Sequence, residues 1–203
     1  MSGMEAVIFD LGNVLIAVDE PRAVARMAAR TGKTPQQIDE YVRGTPYAHE
    51  LALGKITKHR FFRTVANDLG FGGSYEEFAL IWSEVFTPIE PMIALAKSLK
   101  TRLPRLVLSN TNAIHMDYIF EHYTFLDDFD AHVFSHEVGL LKPDAAIYQH
   151  ALQKYGLAAE RTAFVDDLTA NVEAARRVGL QAIHFQNPDQ TRAELTKLGV
   201  SPI

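Results

Sequence analysis

The chain has 203 residues, 47% hydrophobic, 22% charged and 10% aromatic, the make-up of one globular domain or a domain carrying an inserted one; disorder and fibrous repeats are excluded. Twenty-five acidic residues against twenty basic ones leave a formal charge of −5, the wrong sign for a protein dedicated to nucleic acid and too small to repel a phosphorylated metabolite. With no cysteine, disulfide scaffolds, thiolate zinc sites, iron–sulfur clusters and thiol nucleophiles are excluded as well.

The first residues carry neither a basic start nor an apolar run of signal-peptide length. No later window approaches the roughly twenty apolar residues that a membrane helix needs. A cytoplasmic protein with no membrane partner is the expectation.

The first apolar run, Ala6 to Phe9, stops abruptly at Asp10 and Gly12 and reads as a strand. From about Ala17 to Thr87 the punctuation is helical. Asp19 with Pro21 opens one helix; Thr34 with Pro35 opens a second, ended by Gly44; Thr57 opens a third, ended by Gly70; and Ser74 with Glu77 has capping-box spacing before a fourth. A crossover between parallel strands needs only about a dozen residues. Residues 17–87 therefore read as an inserted all-helical cap, with residues 1–16 and 88–203 forming the core. Ile89 to Leu99 supplies a core helix. Apolar runs then recur at Leu106 to Leu108, Ala131 to Phe134, Ala163 to Val165 and Gln181 to His184. They alternate with helical stretches at Ala113 to His122, Pro143 to Tyr155, Leu168 to Val178 and Pro188 to Leu198. Strands apolar on both faces, alternating with helices, predict a doubly wound, Rossmann-like α/β core with a parallel sheet.

In such sheets ligands bind outside the carboxyl ends of the strands. Asp10, Ser109 with Asn110, and Asp166 with Asp167 each follow a strand run, and Lys142 follows one by a short loop. Three carboxylates, a hydroxyl, an amide and an ammonium at one sheet edge are costly unless they bind something that neutralises the carboxylates. A hard cation does so, and Mg²⁺ fits because it accepts one or two carboxylates together with waters and substrate phosphate. Zinc fits badly: the eight histidines form no H-x-H or H-E-x-x-H pattern. No G-x-G-x-x-G follows a strand, and Gly54 to Thr57 lacks the upstream glycine of a phosphate loop. Arg43, Tyr47 and His49, near the junction of two cap helices, are candidates for reaching a sugar or its phosphate. The run Lys55, Lys58, Arg60, Arg63 reads as a solvated helix face.

Four segments, Phe9 to Leu15 (FDLGNVL), Leu106 to Asn112 (LVLSNTN), Gly139 to Asp144 (GLLKPD) and Phe164 to Asn171 (FVDDLTAN), resemble in order the four motifs of the haloacid dehalogenase superfamily. Within it the chain is similar to the glucose-1-phosphatase-like sugar-phosphate phosphatases. The resemblance implies that Asp10 is a nucleophile, that Asp10, the Gly12 carbonyl and Asp167 hold Mg²⁺ with Asp166 close behind, and that Ser109, Asn110 and Lys142 bind phosphate. Asn171, on the same helix face as Asp167, then braces the loop. One position departs from most phosphatases of the superfamily: Gly12 stands where they carry an Asp that serves as general acid and base. That implies slow turnover or a substitute proton carrier.

Three readings stay open. The first is a Mg²⁺-dependent phosphatase of a small phosphorylated metabolite such as a sugar phosphate. The second is a metal-free 2-haloacid dehalogenase using the same Asp10, and the third a catalytically impaired phosphate-binding sensor. The partner in the first is a small phosphate ester, and monomer and homodimer are both compatible with amphipathic cap helices.

Overall fold

The computed structural model describes residues 3–200. In chain order the elements are β1 (Ala6–Phe9), β2 (Ile16–Val18), α1 (Glu20–Thr31), α2 (Pro35–Gly44), α3 (Tyr47–Ala52), α4 (Lys58–Leu69), α5 (Tyr75–Ser83), β3 (Phe86–Pro88) and α6 (Glu90–Ser98). They continue with β4 (Arg105–Ser109), α7 (Ala113–His122), β5 (Ala131–Phe134), α8 (Ser135–Val138), α9 (Ala145–Tyr155), β6 (Thr162–Asp166), α10 (Thr169–Val178), β7 (Gln181–His184) and α11 (Pro188–Lys197).

The five-stranded sheet has the order β5-β4-β1-β6-β7, and every pair in it is parallel. The first strand is therefore the central one, and its four residues are fully buried. Its side chains divide by parity. Val7 and Phe9 pack into one hydrophobic cluster with Leu95, Val107 and Val165; Ala6 and Ile8 pack into another with Leu108, Tyr148 and Phe164. This two-sided burial is why the strand runs read as continuously apolar instead of alternating.

The helical stretch between β2 and β3 has its own cluster, with Met27, Ile38, Leu51, Phe61, Val65 and Phe78 at its heart and Ile114 of α7 joining it. Two differences from the sequence reading stand out here. Five helices replace four, because α3 begins at Pro46 without a side-chain cap and so carries no start signal. The antiparallel pair β2 and β3, only three residues each, escaped notice because such short runs show no period. This pair joins the two ends of the helical stretch. The caps that were legible do form: Thr34 makes a reciprocal capping box with Gln37, and Ser74 accepts from the Glu77 N–H.

Candidate active site

β1 lies between β4 and β6, so the residues just beyond these three strands converge. The Asp10 N–H donates to the Val165 carbonyl at 2.8 Å, continuing the ladder one residue past the strand and aiming the side chain into a cavity of about 330 Å³. Asp10, Gly12, Asn13, Ser109, Asn110, Lys142, Asp167 and Asn171 all line that cavity. The chain leaves Asp10 through a tight turn. Asn13 has φ +55°, a left-handed conformation that Asn tolerates better than most residues, and its side-chain oxygen accepts from the Val18 N–H at 3.1 Å. The bridge between Gly12 and Ile16 runs through the Leu11 carbonyl and the Asn13 N–H, which leaves the Gly12 carbonyl out of it.

Lys142 is the electrostatic centre. Its Nζ lies 2.7 Å from Asp10 Oδ1 and 2.7 Å from Asp166 Oδ2. Asp10 Oδ1 also accepts from the Leu11 N–H at 2.7 Å, so Oδ2 is the oxygen left for chemistry. Burial pushes the Asp10 carboxyl up to about 7; Lys142 opposes that rise and the Asp166 charge adds to it. Burial works to lower the Lys142 pKa, but the two carboxylates outweigh it and hold the ammonium above its ordinary value. Asp167, half-buried, is pushed up by desolvation and by Asp166.

Asp10, Asp166 and Asp167 each offer an oxygen within 4.8 Å of the others. Ligand oxygens around one Mg²⁺ at 2.0–2.1 Å stand at most about 4.2 Å apart, so the cluster is close to coordinating width. The residues fit a hard cation. Within the cluster Asp166 is the carboxylate most taken up by protein donors, in keeping with its expected place behind Asp10 and Asp167. Its Oδ1 accepts from the Leu168 N–H and from Asn171 Nδ2, both at 2.9 Å, and its Oδ2 from Lys142 at 2.7 Å and Asn171 at 3.1 Å. A carboxylate has about four acceptor positions, and all are used.

The Asn110 side chain is engaged with the Lys142 backbone, donating to its carbonyl and accepting from its N–H, each at 2.8 Å; it clamps the lysine and keeps one amide N–H free at the cavity wall. Arg43 and His49 do not line the cavity. Arg43 grips Asp39 at 2.8 and 2.9 Å on the exposed end of α2, and His49 is exposed on α3. Arg43 instead lines a neighbouring cavity that shares Val18, Glu20 and His115 with the one around Asp10.

Residues the sequence reading passed over complete the walls. His115 and Phe86 close one side of the cavity, and Ser135 fixes the β4 loop by accepting from the Thr111 N–H and donating to its carbonyl, both at 2.9 Å. Burial pushes His115 down to about 4, so its ring is neutral. Nothing in a lone Ser or His at these positions sets it apart from a packing residue.

Comparison with known proteins agrees with this geometry. Residues 4–179 match the family model described as haloacid dehalogenase-like hydrolase. The chain is 25% identical over 202 residues to a D-ribitol-5-phosphate phosphatase of Bacteroides thetaiotaomicron, covering 94% of this chain and 96% of that protein. It is 27% identical over 198 residues to the sesquiterpene phosphatase astK of Aspergillus oryzae, with 96% of each covered. Its fold matches the crystal structure of BT-2542, a HAD family enzyme of Bacteroides thetaiotaomicron in complex with magnesium and inorganic phosphate, at TM-score 0.84 and 23% identity over 91% of this chain and 95% of that one. The chain therefore belongs to the haloacid dehalogenase-like hydrolases.

Proposed function

We propose that the protein is a Mg²⁺-dependent phosphatase of small phosphate monoesters that works through an aspartyl-phosphate on Asp10. The observation that carries this reading is the buried Lys142 ammonium held between Asp10 and Asp166, beside a third carboxylate, Asp167, at the open end of the sheet. Mg²⁺ would be held by Asp10, the Gly12 carbonyl and Asp167, and would supply Lewis-acid neutralisation of phosphate charge.

Asp10 Oδ2 attacks phosphorus, the bond from phosphorus to the alcohol oxygen breaks, and the alkoxide leaves with a proton taken from solvent. Water then attacks the phosphorus of the mixed anhydride and returns Asp10 with inorganic phosphate. Lys142 keeps Asp10 anionic and places positive charge against the transferring group, and the Ser109 hydroxyl, at the end of β4, orients phosphate oxygens. Asn110 and Asn171 hold Lys142 and Asp166 in position, so little reorganisation accompanies the reaction. Residues 17–87 act as the cap over residues 1–16 and 88–203, joined to them through β2 and β3.

The relatives' names, a sugar-alcohol phosphate phosphatase and a sesquiterpene phosphatase, support the phosphatase reading and leave the alcohol open. A sugar phosphate is one member of that class. The test is incubation with p-nitrophenyl phosphate, a phosphosugar panel and a short haloacid, with Mg²⁺ or with chelator. Metal-dependent phosphate release is expected. Metal-independent halide release, or thermal stabilisation by phosphate without turnover, overturns the proposal.

A further inference from the structure

A second cavity, of about 270 Å³, lies among α1, α2 and α5 above the catalytic one. The two share Val18, Glu20 and His115 as walls, so a ligand phosphorylated at Asp10 extends directly into it. Its interior is formed by Val24, Met27, Ile38, Val42, Trp82 and Val85.

The polar groups around it are already engaged or lie at its outer rim. Asn112 Oδ1 accepts from the Ile114 and His115 N–H groups at 3.0 and 3.1 Å, and its amide nitrogen lies 3.1 Å from His115 Nδ1. The Arg43 Nε–H donates to both Asp39 oxygens at 2.8 and 2.9 Å, both side chains are exposed at the rim, and Glu20 is more exposed still. Trp82 Nε1 is buried without a hydrogen-bond partner. One such donor is too few for the several hydroxyls of a polyol, each of which would lose water without gaining a partner. Methylene groups lose nothing there and gain contact.

We infer that this cavity receives the alcohol part of the substrate and that this alcohol is hydrocarbon-like: the enzyme acts on alkyl, aryl or isoprenoid-type phosphate monoesters in preference to polyol phosphates. At roughly 30 Å³ per water-sized group, the cavity holds about nine such groups. The inference rests on the phosphatase reading above and narrows its substrate class.

Two measurements with Mg²⁺ present keep the two readings apart. Calorimetry gives Kd for non-hydrolysable n-alkylphosphonates of increasing length, and steady-state kinetics gives kcat/KM for the matching alkyl phosphates and for ribitol 5-phosphate. Kd is expected to fall roughly fourfold per methylene, the equivalent of about 0.8 kcal/mol, until about eight carbons and then level off. Polyol phosphate is expected to be at least about thirtyfold poorer than an alkyl phosphate of equal size. Ala48→Phe, which places a ring in the cavity, should flatten the chain-length dependence. A flat series in the unaltered protein, or a polyol phosphate that outperforms its alkyl counterpart, overturns the inference while phosphate release still upholds the chemistry. A steep phosphonate series with no ester hydrolysed overturns the chemistry and upholds the apolar pocket.

Discussion

Asp166 Oδ2 accepts from the Lys142 ammonium at 2.7 Å, and the remainder of that carboxylate is taken up by Asn171 and the Leu168 N–H. Asp166 thus holds the lysine and has its acceptor positions filled by protein donors. Asp166→Asn should lower kcat by about 10- to 100-fold, the usual scale for a group that acts through its neighbour, while the Mg²⁺ concentration for half-maximal activity moves less than about threefold. Lys142→Met leaves two buried carboxylates facing each other and should cost about 3–5 kcal/mol of stability in urea unfolding.

Asp167 is the carboxylate of the pair with a free approach to the cavity. Asp167→Asn is expected to raise the Mg²⁺ requirement by at least about tenfold, as a metal titration of phosphatase activity will show. Chelator should remove activity from the unaltered protein, and Mg²⁺ at a hundred times its Kd should add about 2.7 kcal/mol of stability.

A Cβ on Gly12 would meet only the Val18 Cγ2 atom, at 3.5 Å, an ordinary contact, and the backbone there is not left-handed. Gly12→Asp is therefore sterically admissible. By adding a proton donor it should raise kcat for alkyl phosphates about tenfold or more, with less than about a threefold change for p-nitrophenyl phosphate, whose leaving group needs no proton. Equal effects on both would remove the case that a general acid is missing.

His115 is neutral in the folded protein because burial, opposed by a hydrogen bond with the Trp82 backbone, pushes it from 6.5 down to about 4. The unfolded chain then binds the extra proton first. Stability from this residue is complete above pH 6.5 and is lost as pH falls toward 4, by at most about 3 kcal/mol. Denaturant unfolding from pH 7.5 to 4.5 should show a shallower acid loss in His115→Gln than in the unaltered protein.

Arg43 and His49 are exposed and line no part of the cavity around Asp10. Arg43→Ala and His49→Ala are each expected to leave kcat/KM for p-nitrophenyl phosphate within about threefold, measured by phosphate release.

The core was legible because burial on both faces leaves a trace in every strand: the runs Ala6 to Phe9, Ala131 to Phe134 and Gln181 to His184 coincide with β1, β5 and β7, and the polar residue ending a run marks the sheet edge. The cluster of Asp10, Ser109, Lys142 and Asp167 followed from that edge alone. What side chains do with their lone pairs did not follow. Asp166 and Asp167 are identical in sequence terms, and only the positions of Lys142 and Asn171 separate their roles. Likewise the position of Asn110 after β4 does not reveal its clamp on the Lys142 backbone. The helical stretch was harder still, since β2, β3 and α3 are too short for a period.

The strand that carries Asp10 comes first in the chain yet sits in the middle of the sheet, between two strands made much later. The pocket around Asp10 lacks Asp166 and Asp167 until β6, near the other end of the polypeptide, closes against it. The carboxylate cluster is thus a product of the longest-range pairing in the sheet, and its assembly requires most of the chain and not the local helices alone.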